Sequence, residues 1–437
     1  MFLHSLIVFM NYNEAFDYIT QCQNIRGSVL GLDSITELTK RLGNPQNHLK
    51  FIHIAGTNGK GSTLAYISTV LKESGYKTGR YISPTIREYL ERFQVNERLM
   101  PKTVFARLCT RVKEVCDEMA EEGLCHPTAF EIETAIAFLY FAEKKCDVVV
   151  LETGLGGRLD ATNIINPILC VLTSISMDHM QFLGDSLDKI AAEKCGIIKD
   201  NVHVVTMQQK CEAMQVIEET CRQKNARLIV LSEDEISKVK YGLSKQNFTI
   251  DNTKIEIKLS GVVQISNAAL AYKAVTTLRD EYGLHKITTN TIQKGLQHTE
   301  WPARFMVVNK KPLILIDGAH NEDAAIKLRS SIDTYFAEKR KIYIIGMFRD
   351  KEVDKVVDII CKDGDMIFTV AAPNNPRALS SVELAERIKK VNSSVTATDS
   401  IEEALEFATG IADENSVVIA CGSLAYLGKI IDIYSIK

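Results

Sequence analysis

Apolar, β-branched runs alternate with stretches of helical period along this chain. Candidate strands fall at 51–55, 78–82, 147–152, 168–173, 202–207 and 227–231. Helix-period segments lie between them. One is 104–122, with Val104, Leu108, Val112, Val115 and Met119 on one face, and another is 131–145. This alternation predicts an α/β fold whose sheet is mainly parallel and covered by helices. One segment breaks the pattern. Phe248 and Ile250, then Ile255, Ile257 and Leu259, alternate on either side of Asp251-Asn252, which predicts a β-hairpin over 247–259. A second α/β series begins near residue 303, with strands expected at 313–317, 341–346, 366–370 and 416–421 and a helix at 381–391. Helix signals end near Gly295 and Trp301-Pro302 interrupts the chain, so 296–302 is the expected linker. The expected domains are a P-loop-type, mainly parallel sheet domain over 1–295 and a smaller Rossmann-like α/β domain over 303–437.

Composition narrows the class. A chain of 437 residues can bury a large core in two or three domains. A net charge of −3 gives no footprint for nucleic-acid binding. Eleven cysteines, an odd number without a C-x-x-C pair, read as reduced thiols of a cytoplasmic protein. The first ten residues are apolar but lack a basic start and a cleavage site, and are too few to span a bilayer. No membrane association is expected. Met10 is an alternative start, because a helix-like pattern opens at Asn11. The absence of a heptad run leaves a monomer as the expected state.

The candidate chemistry sits at strand ends. Strand 51–55 runs into Gly56-Thr57-Asn58-Gly59-Lys60-Gly61-Ser62-Thr63, followed by a helix. Such a turn aims backbone N–H groups at one spot that suits a phosphate, helped by the helix dipole. Lys60 adds a movable positive charge, and the Ser62 hydroxyl can ligate Mg²⁺. The spacing is not the common one: two residues separate the first glycines, and Gly61 stands between Lys60 and Ser62. Glu152 closes an apolar strand, where an acid can face the phosphate loop and hold Mg²⁺. Directly after it, Gly154, Gly156, Gly157, Arg158 and Asp160 make a polar loop at the same edge. His179, after the next strand, is a metal ligand, a phosphate contact or a structural histidine. Lys194, near a helix end, reads by itself as a solvated lysine. In the second domain Asp317 could bind a ribose hydroxyl, and His320 and Arg304 could reach a phosphate. A nucleotide held between two domains fits these positions.

Together these pieces resemble the folylpolyglutamate synthase and dihydrofolate synthase family of the Mur ligase superfamily. The run 56–62 matches its phosphate loop. Ser83-Pro84, Glu91-Arg92, Phe130-Glu131, the run 152–163, Asp178-His179, the run 193–199, Asn267-Ala268, Arg304 and the run 317–321 follow in the family's order. The resemblance implies an ATP-dependent ligase. A pterin carboxylate becomes an acyl phosphate, which the amino group of L-glutamate attacks, releasing ADP and phosphate. It implies that Lys60 and the loop 56–63 hold the β- and γ-phosphates, and that Ser62 and Glu152 hold one Mg²⁺. His179 and Lys194 would serve a second Mg²⁺, with Lys194 carbamylated. Asn267, Arg304, Asp317 and His320 would hold ATP across the interface. Ser83, Pro84, Phe130, Arg158, Asp160 and Ala161 would lie on the folate or pteroate side.

Two departures stand out. Thr85 follows Ser83-Pro84 where the family often has histidine. Ala303 precedes Arg304 where the family often has glycine, a change of little effect unless the position needs positive φ. The bifunctional dihydrofolate synthase/folylpolyglutamate synthase is the favoured expectation. Folylpolyglutamate synthase alone, a Mur-type cell-wall ligase and a non-catalytic nucleotide-binding protein are the alternatives.

Overall fold

The computed structural model describes residues 9–26, 30–373 and 375–435, so the reading of the apolar start falls largely outside the described residues. The first sheet has eight strands: β1 (Phe51–Ala55), β2 (Thr78–Tyr81), β3 (Phe93–Val95), β4 (Arg98–Leu99), β5 (Val148–Glu152), β6 (Leu169–Leu172), β7 (His203–Met207) and β8 (Leu228–Leu231). Their order is β4-β3-β2-β5-β1-β6-β7-β8. From β2 to β8 all neighbours run parallel, and β3 and β4 close one edge antiparallel. Every residue of β1 and β5 is buried, as a strand covered on both faces requires. Ile52 and Ile54 pack with the helices Lys60–Glu73, Val263–Glu281 and Thr289–His298. Phe51 packs on the other face with Tyr12–Arg26, Asp33–Arg41, Lys102–Glu121 and Ala129–Glu143. This period of two is the pleat of the strand.

A small antiparallel sheet follows, of β9 (Ser237–Lys240), β10 (Gln246–Ile250) and β11 (Thr253–Ile257). The hairpin expected at 247–259 is therefore present. Asp251 and Asn252 both have positive φ, 45° and 58°, the combination a two-residue type I′ turn needs.

The second large sheet has six strands: β12 (Met306–Lys310), β13 (Leu313–Ile316), β14 (Arg340–Ile345), β15 (Met366–Thr369), β16 (Val395–Ala397) and β17 (Ser416–Cys421). Their order is β12-β13-β17-β14-β15-β16, with β12 alone antiparallel. The strands that sequence periodicity missed are β3, β4, β9, β12 and β16. They are short or carry half-exposed, mixed side chains with little apolar signal.

The connection between the sheets differs from the expected linker. The helix Thr289–His298 runs on past Gly295. Gly295 is not a stop. A Cβ there would lie 2.5 Å from the Val70 Cα, so the glycine lets this helix press against Lys60–Glu73. Thr299 and Trp301 are buried, and the Trp301 ring would meet a Cβ on Gly61 at 2.9 Å. The segment is thus packed under the phosphate loop. Among the described residues no helix is long and apolar enough to cross a membrane.

Candidate active site

β1 ends between β5 and β6, so its following turn opens at the carboxyl edge where α/β sheets bind ligands. Gly56 has φ 151°, and any side chain there would collide with Thr173. Gly59 has φ 86° and would meet the Asn267 side chain at 2.6 Å. Not every amide of the loop faces a common point. Those of Thr57 and Asn58 donate to the Ser174 carbonyl at 2.8 and 3.3 Å, stitching the loop to the end of β6. The amides opening the helix at Lys60 have no partner within the helix and are the ones left for an anion. Lys60 curls over them, donating to the carbonyls of Gly56 and Thr57 at 3.2 and 3.3 Å. Gln264 donates to the Ser62 hydroxyl at 3.3 Å and accepts from Asn267 at 3.2 Å. Asn267 therefore supports the loop from beneath. The Thr63 hydroxyl is buried without a partner among the described residues.

The neighbouring strand ends supply the ionisable groups. Glu152 is buried at the end of β5, beside β1 in register with Ile54. Burial pushes its carboxyl up to about 7, against the pull of Lys60 and Arg304. Lys194 is not the solvated lysine its sequence context suggests. It is 4 % exposed and donates to the Gly56 carbonyl at 2.9 Å. Burial first, then Lys60, pushes its ammonium down to about 7, with Asp178 and Asp160 opposing. His179 has φ 51° and is held near a pKa of about 4 by burial, with Lys351, Lys60 and Lys194 adding to the effect against Asp178.

The residues expected on the folate or pteroate side fall in three different settings. The Phe130 ring lies 6.0 Å from that of Tyr81 and presses on Gly154, where a Cβ would be 2.5 Å away. Asp160 is buried and spends both oxygens on its own loop. They accept from the Leu155 amide at 2.7 Å, the Thr162 amide at 3.0 Å and the Thr162 hydroxyl at 2.5 Å. Ala161 begins the short helical turn that Asp160 caps. Arg158 points to the surface, paired with Glu193 at 2.7 Å, and its side chain is 55 % exposed. Ser83 and Pro84 line a cavity of about 390 Å³ with Glu152, Gly61, Arg304 and Leu424.

The second domain closes over this edge with its own strand ends. Arg304 and Asp317 are half-buried and face each other's charge. Asp317 accepts from the amides of Phe305 and Ala319, each at 2.8 Å, and so fixes the backbone around Arg304. Ala303 has φ 55°, so the condition under which alanine would matter is met. The left-handed region costs a residue with a Cβ about 1–2 kcal/mol. The imidazole of His320 donates from Nδ1 to the Gly318 carbonyl at 2.8 Å and turns Nε2 toward Asp178 at 3.8 Å.

Polar side chains tie the domains together, and two of them, Asp323 and Lys351, were not singled out from the sequence. Asn58 and Asn321 exchange side-chain hydrogen bonds of 3.2 Å, and Asn58 also donates to Asp323 at 2.9 Å. Asn321 donates to Asp178 at 3.0 Å, and Lys351 donates to Asp178 at 2.7 Å. Burial would raise the Asp178 carboxyl, but Lys351, His179 and His320 outweigh it and hold it well below the usual range. The available signal for Lys351 was the polar run after strand 341–346, the same strand-end logic that found Glu152.

A phosphate loop, a strand-end acid and a buried lysine at one sheet's edge, closed by arginine, aspartate and histidine from the second domain, define a two-domain ATP-dependent ligase of the Mur type. The Mur ligase middle domain matches residues 54–275, and the Mur ligase glutamate ligase domain matches residues 303–424. The dihydrofolate synthase/folylpolyglutamate synthase of Bacillus subtilis is 33% identical over 409 residues, covering 92% of this chain and 94% of that protein. A crystal structure of folylpolyglutamate synthase from Thermotoga maritima is 31% identical and superposes with a TM-score of 0.81, covering 97% of this chain and 96% of that one. Escherichia coli FolC in complex with DHPP and ADP is 27% identical, with a TM-score of 0.84 over 98% of this chain and 99% of that one. The chain belongs to the dihydrofolate synthase/folylpolyglutamate synthase family of the Mur ligases.

Proposed function

We propose that this enzyme joins L-glutamate to the carboxylate of dihydropteroate and of (tetrahydro)folyl-polyglutamate, through an acyl phosphate, releasing ADP and phosphate. The observation that carries this reading is the meeting of Lys60, Glu152 and Lys194, on one sheet edge, with Arg304, Asp317 and His320 of the other domain. The substrate carboxylate oxygen attacks the γ-phosphorus of ATP, and ADP leaves. The neutral amine of glutamate then attacks the acyl carbon, a proton is lost from nitrogen, and phosphate departs. Two anions must meet in the first step, so charge neutralisation and alignment are the main tasks. Lys60 and the amides that open its helix take the β- and γ-phosphates, and Arg304 faces the same cavity. Asp317 is placed for the ribose, with its second lone pairs unspent. Phe130, Asp160 and Ala161 form the pteroate wall, and Ser83-Pro84 its border with Glu152.

Among the described residues no three His, Cys, Asp or Glu side chains converge as a metal cage. That suits Mg²⁺, which takes one or two protein ligands and completes its shell with phosphates and water. Ser62 and Glu152 offer hard oxygens for one ion, and His179 with a carbamylated Lys194 for a second. Bound there, Mg²⁺ supplies charge neutralisation between phosphate and carboxylate. The neutral form of Lys194, accessible near pH 7, is the nucleophile carbamylation needs. Its nitrogen bonds the carbon of CO₂, a proton leaves, and a cation becomes an anionic oxygen ligand. A monomeric, cytoplasmic enzyme acting on small molecules completes the reading.

The test is ADP release with dihydropteroate and tetrahydrofolate offered separately, each with ATP and glutamate. Turnover of both supports bifunctionality. Turnover of tetrahydrofolate alone makes it a folylpolyglutamate synthase only, and turnover of a UDP-linked precursor instead overturns the reading.

A further inference from the structure

Lys351 has no part in the chemistry above, yet it crosses from the second domain to two residues of the first. Its side chain is 7 % exposed, and its Nζ donates to Asp178 Oδ1 at 2.7 Å and to His179 Nε2 at 3.3 Å. The loop that presents it is fixed at two points. The Arg349 amide donates to the Arg377 carbonyl at 2.8 Å, and the Leu379 amide to the Met347 carbonyl at 3.0 Å. The Arg377 guanidinium stacks 4.7 Å from the Phe348 ring and pairs with Asp350 at 2.6 Å. The backbone that presents Lys351 is therefore fixed by its own domain.

An ammonium only donates, so His179 Nε2 must be accepting with its lone pair. A divalent cation bound through that nitrogen requires the same lone pair. We propose that Lys351 is a positioning residue that holds His179 Nε2 and Asp178 in register across the domain interface, and that a divalent cation at His179 must displace it from that nitrogen. The inference rests on the reading of His179 and Lys194 as the second cation site. Asp178 gives the ammonium somewhere to stay when it is displaced, since that bond is the shorter of the two. The other groups facing this point are Lys60, Lys194, His320 and Asn321.

The two roles Lys351 could have predict opposite effects on metal binding. Removing a competitor and a like charge, while leaving Asp178 uncompensated, tightens the second cation. Removing a mere bolt between domains leaves it unchanged or loosens it. The experiment is a Mn²⁺ titration followed by electron paramagnetic resonance, on the full-length enzyme with a non-hydrolysable ATP analogue. Two Mn²⁺ per chain are expected for the unaltered enzyme. In Lys351→Met the second should bind about tenfold more tightly with the first unchanged, while turnover falls because positioning is lost. Lys351→Gln, which can still donate to Asp178 but carries no charge, should shift in the same direction and covers the case of a misfolded Met variant. Unchanged or weaker second binding in a folded variant overturns the inference. A single Mn²⁺ on the unaltered enzyme overturns the second-cation reading itself, a distinguishable result.

Discussion

Lys194 donates a 2.9 Å hydrogen bond to the carbonyl of Gly56, 138 residues earlier, so the phosphate loop and this buried lysine are one constellation. Gly56 can offer that carbonyl because its φ of 151° turns the chain where a side chain would strike Thr173. The loop's first glycine thus both shapes the anion site and anchors its neighbour.

Replacing Lys194 by Met should remove the carbamate ligand while preserving the apolar stem. Turnover should fall at least about a thousandfold, the scale of losing a preorganised electrostatic contact. ATP affinity, measured by calorimetry, should change less than about threefold, because Lys60 and the helix amides remain. Mass spectrometry under native conditions should show one added CO₂ on the unaltered enzyme and none on the variant.

Asp160 and Arg158 stand two residues apart in sequence but predict different outcomes. Asp160→Ala orphans the amides of Leu155 and Thr162 and leaves the Thr162 hydroxyl only its bond with His53, and should cost about 2–4 kcal/mol of stability by denaturant unfolding. Arg158→Ala removes an exposed pair with Glu193 and should cost under about 1 kcal/mol. The same pair of variants should separate in KM for dihydropteroate, rising for Asp160→Ala and nearly unchanged for Arg158→Ala.

Ala303 stands at φ 55° in the turn that carries Arg304. Ala303→Gly relieves left-handed strain of about 1–2 kcal/mol and returns about 0.4–1 kcal/mol of unfolded-chain entropy. The substitution also deletes a fully buried methyl worth about 0.8 kcal/mol, so the three effects nearly cancel and a change within about 0.5 kcal/mol is expected by chemical denaturation, with KM for ATP unchanged. A loss above about 1.5 kcal/mol, the full cost of entropy and methyl with no strain relieved, would contradict the strain assignment.

Gly295→Ala should destabilise by about 1–3 kcal/mol, because the new methyl meets the backbone of Val70 and the helices cannot both keep their places. A neutral substitution by thermal unfolding would mean the packing is looser than described.

Particular residues show how far the sequence could be read. The strands that carry the site, β1, β5, β6 and β13, were legible because burial on both faces leaves unbroken apolar runs. Their ends then located the phosphate loop, Glu152 and Asp317. Gly295 was misread as a helix stop, since a glycine that ends a helix and one that lets two helices touch look alike in one dimension. The φ of Ala303 was invisible because alanine carries no preference for that region. Lys351 could not be placed because its partner Asp178 lies 173 residues away, on the other domain. The depth of Lys194 needed tertiary structure or the family resemblance, since its own helix turn reads as ordinary surface.

The central claim is that the substrate carboxylate is phosphorylated before glutamate attacks, at the interface where Lys60, Glu152 and Lys194 meet Arg304. Dihydropteroate labelled with ¹⁸O in both carboxylate oxygens tests it most directly, in a complete reaction with ATP, glutamate and Mg²⁺. One labelled oxygen should appear in inorganic phosphate for every amide formed, read by mass spectrometry or ³¹P resonance shift. Amide formation with no label in the phosphate would contradict the account.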